Sequence, residues 1–318
     1  MTDELTPILR SWKLPALFWS LAAVVGIGCS AAALAAAKPA NFVLQPGQQG
    51  DNLGDSAFTW PASNGVCLRM HWNQAQKKLD GPLDLSHWTH EITRAKQTKR
   101  KLAVDFFTGV STPDFVKCER FTFTDSRKGK FTMPVPYDPN YQAAVAAVVR
   151  RLALDLGKLG VELEYIHVSG PTRFSNEMHL PVELQKVPGY SLAKLKAAWV
   201  QDAKLFADCF PKASIAVNAS VLFGNDQAAA SQIVDACGAV LGKRMVVFHC
   251  ALHGATSNAN KTHALVTSYA KQYRIGFEMI QPSTRSEFQG TFDQAVAIAT
   301  KAGASYLQPY QGDIGKLK

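Results

Sequence analysis

Two glutamates are the groups in this chain that could do chemistry together. Glu177 sits in a polar loop of the stretch LEYIHVSGPTRFSNEMHLP (163–181), which opens with an apolar run, 163–168, that reads as a buried strand. Glu278 lies near the end of a second such run, YRIGFEMI (273–280). A charged side chain inside an apolar strand is costly unless it faces a polar cavity. Two carboxylates facing one cavity can divide the work of breaking a glycosidic bond. One, kept protonated, gives a proton to the leaving oxygen, and the other attacks the sugar's anomeric carbon. The plainer alternatives are ion pairs: Glu177 with Arg173, and Glu278 with Arg274 or Arg285.

Such a pair needs a scaffold that brings distant strand ends to one place. Short apolar runs at 57–60, 66–72, 101–107, 163–168, 214–218, 245–250, 274–280 and 305–308 read as strands. The patterns at 87–97, 141–159, 191–209, 226–241, 260–273 and 291–302 read as amphipathic helices. Near-continuous apolar strands alternating with helices predict a parallel sheet covered on both faces. Eight strands predict a closed (β/α)8 TIM barrel. A doubly wound open sheet is the alternative, but no Gly-rich phosphate turn follows any strand, and nothing calls for a cofactor.

In a barrel the functional residues lie at the C-terminal strand ends. Reading those ends gives His71, Trp72, Asp105, Asn176, Asn218, His249, Gln308 and Tyr310 as candidate substrate-binding residues beside Glu177 and Glu278. Amides, carboxylates and aromatic faces in this mixture suit a carbohydrate. Trp72 is the expected sugar platform. His249, Cys250 and His253 invite comparison with a metal site. However, the spacing straddles a strand end and a Gly-containing loop, and no third ligand is fixed. The expectation is no metal, with His249 touching substrate or a carboxylate.

The 318-residue chain carries a net charge of +9 and 47% hydrophobic residues. Its densest basic cluster, KQTKRK (96–101), precedes a strand and reads as a solvated helix end rather than a nucleic-acid stripe. Residues 14–37 carry no charge and close on Ala35-Ala36-Ala37, so 1–37 is expected to be a signal peptide or a signal anchor. The Gly-, Gln- and Pro-rich 38–55 reads as a linker or arm, and 56–318 as the barrel. These features predict a periplasmic or secreted domain, with attachment to the inner membrane through 14–37 as the competing outcome. Five cysteines follow the leader: Cys67, Cys118, Cys209, Cys237 and Cys250. In an oxidising compartment Cys209 and Cys237 are the first pair to consider as a disulfide, against the alternative of small buried hydrophobes.

Several motifs then carry a resemblance. GVCLRMHWNQ with LDGPLDLSHW, FFTGVSTPDFV, MPVPYDPNY and VSGPTRFSNEMHLP together resemble the opening half of bacterial clan A retaining glycoside hydrolases of the β-galactosidase-like type. The likeness spans Gly65 to about Asp313. It implies a (β/α)8 barrel and retaining hydrolysis, with Glu177 as acid/base after the fourth strand and Glu278 as nucleophile on the seventh. One departure stands out. The family sets Asn-Glu directly at the end of strand four, where this chain has Ser169-Gly170, and Asn176-Glu177 follows several residues later. That departure motivates a second reading, a barrel that binds carbohydrate without cleaving it. The 14–37 segment motivates a third, a tethered envelope scaffold.

Overall fold

Eight parallel strands close on themselves in the computed structural model, which describes residues 37–45, 52–125, 129–170, 173 and 177–315. In chain order they are β1 (Ala40–Leu44), β2 (Ser63–His71), β3 (Lys101–Phe107), β6 (Leu163–His167), β7 (Ser214–Asn218), β8 (Met245–Leu252), β9 (Arg274–Met279) and β10 (Tyr306–Gln308). Each pairs with the next, and β1 pairs with β10 through Ala40↔Tyr306 to close the ring. Between β3 and β6 the chain makes a separate antiparallel hairpin, β4 (Arg120–Asp125) and β5 (Gly129–Pro134). Two short helices flank β2: α1 (Asp55–Thr59) before it and α2 (Trp72–Ala75) after it. The outer layer is α3 (Ser86–Gln97), α4 (Pro139–Lys158), α5 (Leu192–Cys209), α6 (Gln227–Leu241), α7 (Lys261–Ser268) and α8 (Phe292–Lys301).

The alternation of side chains along each strand separates two cores. Facing inward, Phe42, Leu44, Cys67, Ala103, Tyr165, Ala216, Val246, Phe248 and Tyr306 fill the lumen. Tyr165 is its hub, with ring centroids 4.9 Å from Phe42 and 4.8 Å from Tyr306. Gly276 is needed here, because a Cβ would lie 2.4 Å from the Phe248 ring. Facing outward, the strands pack on the helices in one large apolar cluster that includes Trp72, Trp88 and Trp199. A polar network closes the lower, N-terminal end. Arg274 donates to the Tyr306 hydroxyl at 2.9 Å and to Ser214 at 2.8 Å, and Tyr306 donates to Glu164 at 2.9 Å.

Side-chain caps start the helices beyond the strand ends. Asp138 accepts from the Tyr141 amide ahead of α4, and Ser191 from the Lys194 amide ahead of α5. Thr291 and Gln294 form a reciprocal capping box on α8. These starts form the rim of the barrel's C-terminal face.

Three expectations need correction. The first barrel strand is not 57–60, which is the helix α1. It is Ala40–Leu44, inside the stretch expected to be an arm, so the barrel begins at Ala40 rather than at residue 56. Five residues, four of them apolar, suffice there because both neighbours, β2 and β10, supply hydrogen bonds. Cys209 and Cys237 are not bonded to each other. All five described cysteines are free thiols, with Cys237 buried in the outer core. The helix expected at 260–273 stops at Ser268, and a turn leads on to β9. Residues 14–36 lie outside the described part. Among the described residues no helix is long and apolar enough to cross a membrane.

One buried acid makes stability depend on pH. Asp202, on α5, is 1% exposed. No hydrogen bond of ordinary length reaches either of its oxygens. Burial pushes its carboxyl up to about 8, with Gln142 beside it opposing that only in part. The folded protein therefore keeps a proton that the unfolded chain releases near the usual carboxylate value of about 3.9. Stability conferred by that proton is full below about pH 4 and is lost as pH rises towards 8. Asp202→Asn is expected to remove this slope and to raise stability at pH 8 by on the order of a few kcal/mol. Urea unfolding of both proteins at pH 5 and pH 8 checks this. Parallel pH dependences would contradict it.

Candidate active site

The mouth of the barrel is built around one buried cation. Arg69 projects inward from β2, and its side chain is 10% exposed. Its Nε lies 3.3 Å from Asp105 on β3, and its Nη2 lies 2.5 Å from Glu278 on β9. Tyr310, just past β10, completes the group. Its hydroxyl lies 3.4 Å from both Arg69 Nη1 and Glu278 Oε1, and Arg69 stacks 5.9 Å from its ring centroid. Burial alone would lower the affinity of Arg69 for its proton. The charge of Glu278, then Tyr310 and Asp105, outweighs burial and holds the guanidinium well above its ordinary value. Arg69 is thus a permanent positive charge between two carboxylates. Gln45, following β1, accepts a hydrogen bond from the Arg69 amide at 2.8 Å and also contacts His87.

Below this layer lies a neutral polar one. His167 Nδ1 is 2.8 Å from Asn218 Oδ1, so that nitrogen carries the proton. Its Nε2 accepts from Gln308 Nε2 at 2.9 Å, and the same amide nitrogen donates to the Tyr165 hydroxyl at 2.9 Å. Burial, with Arg69 adding to it against the help of Asn218, pulls His167 down to about 3. It stays neutral at physiological pH. Asn218 and Gln308, expected to meet substrate, are fully buried and hold this imidazole in one tautomer.

The segment after β6 accounts for the displaced glutamate. Ser169 and Gly170 are tied to the end of β3: the Thr108 amide donates to Ser169 Oγ at 2.9 Å, and the Tyr141 hydroxyl donates to Thr108 at 3.1 Å. Gly170 lies flat on Trp199, whose ring would be 2.6 Å from a Cβ there. The chain then returns to the mouth. Glu177 forms an isolated parallel bridge with Asn218, and the Met178 amide donates to the Asn218 carbonyl at 2.9 Å. Glu177 is therefore fastened to the end of β7, not to the strand that precedes it. Arg173 pairs with Asp125 of the hairpin at 3.3 Å.

Cys250, half-buried on β8, registers where these groups gather. Burial is the main force raising its thiol. The charges of Glu278, Glu177 and Asp105 add to that, against Arg69. His71 lies on the same side, with Nδ1 2.8 Å from Ser111 Oγ and its ring 4.7 Å from Phe107.

Two candidates lie elsewhere. Trp72 is 1% exposed and faces outward, donating to Gln76 Oε1 at 2.7 Å, so it packs the barrel wall and offers no platform. His249 alternates away from the lumen. It is 1% exposed and packs against Phe277 and, on α7, His263, with centroids 5.9 and 5.8 Å away. Burial, and then His263 and His253, lower it to about 3. Both misplacements have one cause: at a strand end, a shift of one residue exchanges lumen for wall. Asn176 lies outside the described residues. Among the described residues no group of three or more His, Cys, Asp or Glu is disposed to hold a metal ion.

Arg69, Gln45, His167 and Cys250 were not among the expected site residues. Arg69 was the readable one. A cation inside VCLRMH meets the same penalty as Glu278 inside RIGFEM, and the same conclusion follows, that it faces a polar lumen with a partner.

The chain matches no protein-family model and no curated protein sequence. It does match solved structures. The catalytic domain of a β-amylase from Paenibacillus polymyxa superposes with a TM-score of 0.57 at 11% identity, over 86% of this chain and 92% of that one. A fungal β-1,4-galactanase gives 0.52 at 12%, over 86% and 90%. An exo-β-1,4-mannosidase from Opitutaceae bacterium strain TAV5 gives 0.51 at 13%, over 86% and 52%. The likeness is one of fold: the chain is a (β/α)8 barrel of the kind these carbohydrate-active proteins share.

Proposed function

We propose that the protein is an exported glycoside hydrolase that cleaves an oligo- or polysaccharide with retention of anomeric configuration. What supports this reading is Glu278 held by Arg69 in the lumen at the end of β9, with Glu177 bridged to Asn218 at the end of β7. The barrel's likeness to proteins named β-amylase, β-1,4-galactanase and exo-β-1,4-mannosidase supports the substrate class. The uncharged run 14–37, ending in three alanines, supports export.

In this mechanism Glu278 Oε attacks the anomeric carbon as the bond to the leaving oxygen breaks. Glu177 delivers its proton to that oxygen. A glycosyl ester on Glu278 results. Glu177, now a carboxylate, takes a proton from water, whose oxygen displaces Glu278 and regenerates both groups. Arg69 compensates the buried negative charge of the attacking carboxylate, and Asp105 holds Arg69 in line. Tyr310 and His71 frame the opening, and Asn176 is assigned to a ring hydroxyl. Retention requires the two carboxyl groups about 5–5.5 Å apart.

A panel of aryl glycosides and plant and bacterial polysaccharides, followed by NMR of the first-formed anomer, tests the proposal. The expected result is release of the anomer that matches the substrate. Release of the opposite anomer would retain the hydrolase but overturn the covalent step. Oligosaccharide binding without release from any substrate would favour a binding barrel.

A further inference from the structure

Glu177 stands several residues past the end of β6, so the hydrogen bonds of that strand do not fix it. Two other attachments reach its segment. One is the end of β7. Glu177 bridges to Asn218, the Met178 amide donates to the Asn218 carbonyl at 2.9 Å, and the Met178 side chain is fully buried. The other is the β4–β5 hairpin. Arg173 Nη1 lies 3.3 Å from Asp125 Oδ2 at the end of β4, with the two side chains 25% and 13% exposed.

Arg173 is in turn locked to His179, two residues beyond Glu177. Its amide donates to the His179 carbonyl at 3.1 Å, and its Nη2 lies 3.4 Å from His179 Nδ1. A guanidinium only donates, so Nδ1 accepts and the imidazole is neutral. Burial, and then the charge of Arg173, lower His179 in keeping with that state, with Asp125 opposing them. The His179 amide donates to the Glu177 carbonyl at 2.6 Å. Residues 173 and 179 thus form a neck beside Glu177, and Asp125 ties the neck to the hairpin. The hairpin is a firm anchor. Phe123 and Met133 are buried in the outer core, Phe123 and Phe131 stack with centroids 5.9 Å apart, and Arg120 donates to the Pro113 carbonyl at 2.9 Å. An ion pair in full solvent contributes little, but one whose members are mostly buried is felt when a partner is removed.

We propose that Asp125 and Arg173 are positioning residues for Glu177, holding its segment from the hairpin side while β7 holds it from the other. The inference rests on the reading of Glu177 as acid/base. Asp125→Asn keeps the shape of the side chain and removes its charge. It is expected to slow the first step on an unsubstituted phenyl glycoside about tenfold, the scale of a slightly misplaced reacting group. The first step on the dinitrophenyl glycoside, whose leaving group departs without a proton, should be unchanged. Arg173→Lys keeps the charge but not the fork that reaches both Asp125 and His179, and should show a smaller loss of the same pattern. Hydrogen exchange read by mass spectrometry needs no substrate. Peptides covering Met178 and His179 should exchange faster in Asp125→Asn, while those of β3 and β8 keep the wild-type rate. Equal losses on the two glycosides, no loss on either, or unchanged exchange at 177–181 would overturn the proposal. Should Asp125→Asn fail to fold, Arg173→Lys decides by the same two readings. If the wild type releases no sugar from any glycoside, the hydrolase reading fails, and exchange alone decides whether the hairpin holds Glu177 in place.

Discussion

Glu278→Gln is expected to lower kcat on an aryl glycoside by on the order of 10⁶, the scale seen when a covalent nucleophile is removed. The amide has the shape of the carboxylate, and Arg69 keeps Asp105 as its partner, so the unfolding midpoint should move little. Glu177→Gln should behave differently, and the difference identifies the roles. Loss of an acid/base costs about 10²–10⁴-fold. That loss should appear with a poor leaving group and shrink in the first step with dinitrophenol, which departs without a proton. A Glu278→Ala variant supplied with azide should yield a glycosyl azide of opposite configuration, because the small anion takes the vacated place. Stopped-flow release of the phenol and NMR of the azide product check these outcomes. Equal, leaving-group-independent losses in the two variants would contradict the division of labour.

The second large effect concerns the cation at the mouth. Arg69→Leu removes the cation that Asp105 and Glu278 share in the lumen, where their side chains are only 1% and 7% exposed. Removing one member of a buried ion pair typically costs about 3–5 kcal/mol, and here two carboxylates lose the same cation. Urea unfolding at pH 7 should show a loss of that size. Arg69→Lys should recover part of the stability but not the fork that reaches both acids. A loss under 1 kcal/mol for Arg69→Leu at pH 7 would mean that the cluster is more hydrated than its burial implies.

Much of the scaffold was readable because seven of the barrel strands are apolar runs with helical patterns between them. β7 and β3 were expected at the residues where they occur, 214–218 and 101–107. The exceptions are short. ANFVL is only five residues between Lys-Pro and a Gln-Pro-Gly stretch, and DSAFT is one turn of helix. At that length periodicity cannot separate strand from helix. The hairpin left its mark in the alternation FTFT of 121–124, a period-two pattern with one polar face. With only one face buried, it differs from the barrel strands, which are covered on both sides. The site was less legible than the scaffold. The cost of a charge in an apolar strand places Glu278, and the same cost places Arg69. The position of Glu177 could not be read, because it depends on a backbone bridge to Asn218, a contact between segments with no shared local pattern.

The closing pair of the barrel sets an order on how the protein is made. Ala40 and Tyr306 join the first strand to the last, so the ring stays open until Tyr306 has left the ribosome. Contacts so far apart in the chain carry the largest loop-closure cost and form late. The cylinder therefore cannot close while Tyr306 is still unmade. It also bounds how far the chain can be shortened from its start. A cut after Ala37 spares the first strand, whereas one a few residues later would unlatch the cylinder.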